Sequence, residues 1–296
     1  RLTDQARAMA AVRLPGAVQA VLDTPSGEDV VVPEVAPIVV DSRDEVGDVA
    51  AALNLVQRSA LDLAVEQATL RRNIADSFTS LGRRTQNLIG LQLELITELE
   101  HEEADPTVLE HLYRLDHLAT RARRNAESLV VLAGTEPART RTAPVDVHDV
   151  VRACLSEVDG YQRVEIAGLE DAQVPGSVAA DLIHLLAELV ENGLTFSPPS
   201  RPVEVRGRFG PGGYTVVVTD SGVGMGAAEL ERANRRLSGN ETFTVAPSRY
   251  LGHYVAGRLA DRIGATVSLL EAPTGGVAAK VTVPGHLVSG PVEQPE

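Results

Sequence analysis

Asp181-Leu-Ile-His-Leu-Leu-Ala-Glu188-Leu-Val-Glu-Asn192 and, beyond it, Tyr214-Thr-Val-Val-Val-Thr-Asp220-Ser-Gly222-Val-Gly224 are the stretches on which the fold turns. In the first, Leu182, Leu185, Leu186, Leu189 and Val190 recur at helical spacing and predict an amphipathic helix with a wide apolar face. Glu188 and Asn192 lie one turn apart on it, so a carboxylate and an amide share a face. Such a pair suits a hydrated Mg2+, which takes few protein oxygens and completes its shell with water and phosphate. The second stretch predicts a strand of apolar and β-branched residues, Tyr214 to Thr219, ending in Asp220 and two closely spaced glycines. A carboxylate there can accept a hydrogen bond from an exocyclic amine, and Gly222 and Gly224 let the backbone approach a flat ring without a Cβ in the way. In the plain alternative, Glu188 and Asn192 solvate a core helix and the glycines make a turn. That reading needs two unrelated coincidences.

The composition narrows the classes of function. A chain of 296 residues has room for two or three domains and a sizeable core. A formal charge of -14 speaks against nucleic acid as a partner, because phosphates demand clustered Lys and Arg. One cysteine, Cys154, rules out a disulfide framework and fits a reducing compartment. No apolar run approaches the roughly 18 residues of a membrane span, and there is no signal-peptide pattern. The chain opens at Arg1 in what reads as a helix already under way, as expected of a piece of something longer.

From the start, Leu2, Ala6, Met9, Ala10 and Arg13 predict a short helix stopping near Pro15. A Pro-punctuated connector follows, Val30 to Pro33 and Pro37 to Val40, before Asp41-Ser-Arg-Asp44 caps a second helix. Further on, Ile74, Phe78, Leu81, Thr85, Leu88, Gln92, Leu95 and Leu99 alternate four and three apart. So do Val108, Leu112, Leu115, Ala119, Ala122, Ala126, Leu129 and Ala133. That is a heptad seam on each arm of a hairpin broken at His101-Glu-Glu-Ala-Asp105-Pro106, and a homodimeric four-helix bundle is its natural completion. Gly134 to Pro144 reads as a linker. After it, helices are expected at 147–158, 176–194, 227–237 and 250–263, strands at 164–166, 202–209, 214–220, 265–271 and 277–283, and a disordered tail from Pro284. The fold class is α+β, with helical modules followed by an α/β sandwich.

The two opening stretches resemble the N-box and the DxGxG box of the Bergerat ATPase fold, shared by histidine kinases and the gyrase, Hsp90 and MutL group. Pro15, Glu45, Gly47 and Asn54 make residues 1–60 resemble a HAMP relay. Residues 61–134 then resemble a dimerisation and phosphoacceptor hairpin, 145–285 an ATPase domain, and 286–296 a flexible tail. The whole is similar to the cytoplasmic half of an actinobacterial sensor histidine kinase. Arg114-Leu-Asp-His117-Leu-Ala-Thr-Arg121 and Arg123-Arg-Asn-Ala-Glu-Ser-Leu-Val-Val-Leu-Ala-Gly134 point to the nitrate/nitrite-sensor-like kinases of conservon operons. The resemblance implies ATP and Mg2+ as cofactors, with Asn192 holding the metal and Glu188 orienting or deprotonating the acceptor. Asp220 would read adenine, while Gly222, Gly224, Gly252 and Arg249 would shape the nucleotide site. It further implies a homodimer, a response regulator or conservon-type partners (a roadblock-type protein and a small GTPase), and a place on the cytoplasmic side of a plasma membrane, anchored by segments absent here.

Several positions depart from the kinase pattern. The phosphoacceptor His expected near 83 or 84 is replaced in Leu81-Gly-Arg83-Arg84-Thr85-Gln86-Asn87. The lid motif GxGLG reads Ser248-Arg-Tyr-Leu-Gly252, a Lys expected three residues after Asn192 is Thr195, and Val277 stands where a Thr is usual. Among the histidines, His117 falls on the outer face of its helix and is the candidate acceptor, while His101 and His111 read as solvated surface. His184 shares a face with Glu188 and Asn192; a transition-metal site is conceivable there, but a supporting role suits it better, since Asn is a poor zinc ligand. Glu157 with Asp159, and Glu229 with Glu231, read as solvated faces. A histidine kinase and a degenerate, nucleotide-gated pseudokinase scaffold are therefore the two rival functions. A gyrase- or MutL-type ATPase has no place for the N-terminal helices.

Overall fold

Helix dominates the first half of the chain and a single five-stranded sheet the second. The structure, a computed structural model, describes residues 2–22, 24, 33–39, 45–134, 143–238, 251–273 and 275–290. It separates into two units, one comprising Arg1–Ser80 with Ala133–Thr135 and the other Leu81–Leu132 with Glu136–Glu296.

In the first unit, helices α1 (Leu2–Ala8) and α2 (Leu14–Leu22) are joined by a π-helical turn over Met9–Arg13. The expected stop near Pro15 therefore does not occur. The N–H of Leu14 donates to Met9 O, five residues back, and this widened turn leaves Pro15 in the first turn of α2, where its missing N–H costs nothing. Helix α3 (Glu45–Glu102) begins beyond the residues expected to cap it, Asp41–Asp44, which lie outside the described residues. Met9, Ile38 and Ala50 form a small core with Ala6, Leu14 and Leu53 around them. Asn54 fastens the extended segment 33–39 to α3: its Nδ2 donates to Ile38 O at 2.9 Å and its Oδ1 accepts from Ile38 N at 2.8 Å.

In the second unit, the C-terminal part of α3 turns back into α4 (Pro106–Leu132). Asp105 starts α4 by accepting from Thr107 N, which holds its exposed carboxyl below the usual range. The two arms meet through buried Gly82, where an added Cβ would come within 2.5 Å of Val130 and 2.9 Å of Ala126 O. The contact between the two arms of one chain thus runs one position beside the Leu81 and Leu88 seam, whose expected completion is a second hairpin. Gly82 and Ile89 are buried, while Leu81, Leu88, Leu95, Leu99 and Leu115 are each more than half exposed.

The α/β part contains β1 (Val145–Asp146), α5 (Val147–Ser156), β2 (Val164–Leu169), β3 (Gln173–Val174) and α6 (Gly176–Phe196). It continues with β4 (Val203–Gly210), β5 (Gly213–Thr219), α7 (Ala227–Leu237), α8 (Leu251–Ile263), β6 (Thr266–Glu271) and β7 (Val277–Pro284). The main sheet has the order β2-β4-β5-β7-β6, with β2 parallel to β4 and the other pairs antiparallel. Val203, Val205, Val216, Val218, Val281 and Val283 alternate along three strands and bury one face against α5, α6 and α8. Helix α6 lies in the middle of this core, and its buried residues occur around most of its circumference.

Polar clasps fix the helices. Arg262 forks onto Asp181, joining α8 to α6, and Asn234 on α7 holds both backbone groups of Leu269 on edge strand β6. Pro284 to Ser289, expected in the tail, are ordered: Pro284 ends β7 and Ser289 bridges to Gln173. The linker between Gly134 and Pro144 falls mostly outside the described residues.

Candidate functional site

The site lies where the C-terminal half of α6 faces the ends of β5 and β7. Arg163 holds this end of α6 by donating to Leu194 O, Ser197 O and Pro198 O, the carbonyls that a helix C-terminus leaves without partners. Ser197 Oγ in turn accepts from Ser221 N at 3.1 Å, so the end of α6 and the loop after β5 are fixed to each other.

Asp220 is buried at the end of β5, with its N–H on Val277 O at 2.9 Å and its Oδ1 accepting from Gly222 N at 2.7 Å. Its other oxygen takes no hydrogen bond among the described residues. Glycines surround it because nothing larger fits. A Cβ at Gly222 would lie 2.6 Å from Phe196 O, and one at Gly276 would lie 2.3 Å from Asp220 O and 2.5 Å from its Oδ1. Gly224 adopts φ +71, and a Cβ there would also strike Gly275 O at 2.5 Å. The glycines expected to admit a flat ring thus also build the turn that presents the carboxylate.

Asn192, Asp220, Gly224 and His253 line one cavity of about 190 Å³, closed elsewhere by apolar side chains including Phe196, Met225 and Leu269. The site residues expected from the sequence on α6 and β5 therefore meet. Gly252 joins them from α8: a Cβ there would sit 2.8 Å from Glu188 Oε2 and 3.4 Å from Asn192 Nδ2. Ser248, Arg249 and Tyr250 of the lid motif lie outside the described residues. Asn192 Nδ2 is buried with no hydrogen-bond partner among the described residues, so the amide can turn its oxygen toward a hydrated cation. The residues present therefore fit Mg2+ held through one amide oxygen, with water and phosphate completing the shell.

Glu188 is placed differently. Ser128 Oγ on α4 donates to its Oε1 at 3.2 Å and lies 3.0 Å from His184 Nε2, which is itself 3.5 Å from the same carboxylate oxygen. Arg124, only 1% exposed, pairs with Glu191, lies 3.7 Å from Glu188 Oε1 and donates to Glu157 O at 2.5 Å. Burial alone would raise the Glu188 pKa. The hydrogen bond and charge of His184, with Arg124 and Ser128 behind them, reverse this and hold it below the usual carboxylate range. His184 thus takes the supporting role, and the carboxylate shared with α4 is ionised.

One group expected to be solvated is not: Glu157 is half buried, its carboxyl pushed up by burial against the opposing pull of Arg123. Glu229 is exposed as expected, at the rim of the cavity. His117 is exposed on α4, His101 and His111 are exposed as expected, and Arg83 and Arg84 are exposed on α3. Sequence reasoning missed His253 and Gly276. Adjacency to Gly252 and a Gly-Gly pair opening a strand were the available signals.

Residues 177–287 match the family model of histidine kinase-, DNA gyrase B- and HSP90-like ATPases. No curated protein matches the chain. Among solved structures it is similar to the mycobacterial sensor histidine kinase MprB, at 24% identity over 49% of this chain and 97% of that one, with a TM-score of 0.40. The ATP-binding domain of PrrB from Mycobacterium tuberculosis is similar at 20% identity over 49% and 98%, with a TM-score of 0.39. Full-length ShkA in complex with AMPPNP is similar at 16% over 70% and 45%, with a TM-score of 0.46. The α/β domain has the Bergerat-type fold of the matched family, preceded by a helical region.

Proposed function

We propose that the chain is a histidine-kinase-like signalling protein that binds Mg-ATP between α6, α8 and the ends of β5 and β7 and donates its phosphoryl group to a histidine. The observation that carries this reading is the convergence of Asn192, Asp220 and Gly224 on one cavity inside the segment that matches the ATPase family. In it, Asp220 accepts a hydrogen bond from the adenine amine, Asn192 holds the cation, and Gly222, Gly224 and Gly252 keep the walls close to the ligand. Arg249 adds positive charge from the lid. Bound Mg2+ would neutralise phosphate charge. Glu188 orients or deprotonates the acceptor, for which His117 is the candidate because it is exposed on α4 while Arg83 occupies the usual place.

The exposed leucines of α3 and α4 support a homodimer in which two hairpins form a four-helix bundle. The HAMP resemblance, carried in part by Asn54, supports a relay role for residues 1–60 on the cytoplasmic side of a membrane. A response regulator, or a roadblock-type protein with a small GTPase, is the partner that the resemblance favours.

A pseudokinase scaffold is the second reading, favoured by Arg83 at the acceptor position and by Ser128 and Arg124 engaging Glu188. Incubation with γ-labelled ATP separates the two. The kinase gives acid-labile label in wild type that is lost in Asp220→Ala and in His117→Gln. The scaffold binds ATP by calorimetry and gives no label in any variant. A wild type that does not bind ATP overturns both.

A further inference from the structure

The cavity contains a second chemistry-bearing group besides Asn192 and Asp220. His253, on the first turn of α8, is 8% exposed and lines the same space, and its Nδ1 is buried without a hydrogen-bond partner among the described residues. Buried imidazoles almost always satisfy both ring nitrogens, because an unpaired polar atom retains its full desolvation penalty. Here the open side of that nitrogen is a ligand-sized cavity.

The ring is also positioned along the cavity. It follows Gly252, where a Cβ would lie 2.8 Å from Glu188 Oε2 and 3.4 Å from Asn192 Nδ2, so the backbone that carries the ring passes the Asn192 side of the cavity. His253 therefore sits toward the Asn192 end, where a nucleotide read by Asp220 at its base carries its phosphates. Burial first, then Arg236, lower its pKa to about 4 against the opposing pull of Glu188, so at neutral pH the ring has one N–H and one lone pair.

We propose that His253 is a nucleotide-contacting residue whose Nδ1 hydrogen-bonds the phosphate-bearing end of the ligand, so that the pocket discriminates nucleoside phosphates from the bare nucleoside. This rests on the reading of the cavity as a nucleotide site. The contact is neutral and directional, and it supplies part of the phosphate recognition that Thr195, standing where a Lys is expected, does not.

The test titrates ADP and adenosine into the whole chain by calorimetry. His253→Leu weakens ADP by about 5- to 30-fold, the range for one hydrogen bond to a charged group, and leaves adenosine within about twofold. His253→Asn, whose amide stands where Nδ1 stood, recovers most of the loss. Independently of any variant, the Nδ1 resonance of 15N-histidine-labelled wild type shifts on adding ADP and not on adding adenosine. Equal weakening of both ligands by His253→Leu, or unchanged ADP binding, overturns the assignment while leaving the nucleotide site in place. A wild type that binds neither ligand overturns the site itself, and the assignment with it.

Discussion

The α/β domain and the helical hairpin are made from the same apolar residues and treat them in opposite ways. In the domain, Leu182, Leu185, Val203, Val216 and Val281 are fully enclosed, because a sheet with one apolar face, the helices laid on it and Val131 from the end of α4 close a core within one chain. In the hairpin, each helix has two apolar stripes. One, through Gly82, Ile89, Leu112 and Ala119, is used between the two arms; the other, through Leu81, Leu88, Leu95 and Leu115, is more than half exposed, with nothing over it among the described residues. Two helices can bury only the faces they turn to each other. The second stripe is what a second copy would cover, and an exposed run of leucines of this length is otherwise an aggregation surface.

That contrast is most sharply tested by a pair of substitutions. Leu185→Ala should destabilise the α/β domain by about 2–5 kcal/mol in denaturant titration and leave the sedimentation of the chain unchanged. Leu88→Asp should do the reverse, giving monomers or insoluble protein while the domain's unfolding midpoint barely moves. A wild type that sediments as a monomer at micromolar concentration breaks the comparison outright.

A pH titration probes the interior of the domain alone. His253 has a folded pKa of about 4 against an ordinary 6.5, so between those values the unfolded chain binds a proton that the folded one refuses. Stability therefore falls as pH drops from 6.5 toward 4, by roughly 3 kcal/mol in total, and His253→Asn should flatten that slope. Glu188, whose carboxyl is held low, adds its own loss only below the usual carboxylate range.

Smaller effects are expected at two polar contacts. Asp220→Ala should weaken Mg-ATP binding by about 1–3 kcal/mol in calorimetry and leave sedimentation unchanged, because the purine amine loses its acceptor. Ser128→Ala should cost about 1 kcal/mol or less in unfolding of the domain, although the residue belongs to the hairpin. A null result there would mean that α4 and α6 meet without mutual stabilisation.

Much of this organisation was legible in the sequence, and the failures are physical rather than random. The meeting of Asn192, Asp220 and Gly224 at one cavity was readable because helical spacing and the end of a strand place them there. The strands were readable because Val and Thr alternate along them. The contact line between the two arms was not legible, because the leucines form a cleaner heptad than the line on which close packing selects Gly82. A π-helical turn before Pro15 could not be foreseen, since the sequence shows a helix breaker and not the widened register that accommodates it. The role of Arg124 was hidden for another reason. An arginine in a helical run reads as surface, and only the tertiary structure brings two carboxylates from α6 to it.

Arg124 also bears on where the polypeptide can be cut. The obvious place to excise a nucleotide-binding fragment is the stretch between Leu132 and Val145, where regular secondary structure stops on both sides. A fragment beginning there would lack the guanidinium that faces Glu188 and Glu191, the hydroxyl of Ser128, and Val131, which belongs to the domain core. It would keep two acidic side chains in a low-dielectric setting with their counter-charge removed, the circumstance in which losing one partner of a buried pair does the most damage. A useful truncation therefore retains the last turns of α4, and the covalent boundary between the two parts lies upstream of the one that composition marks.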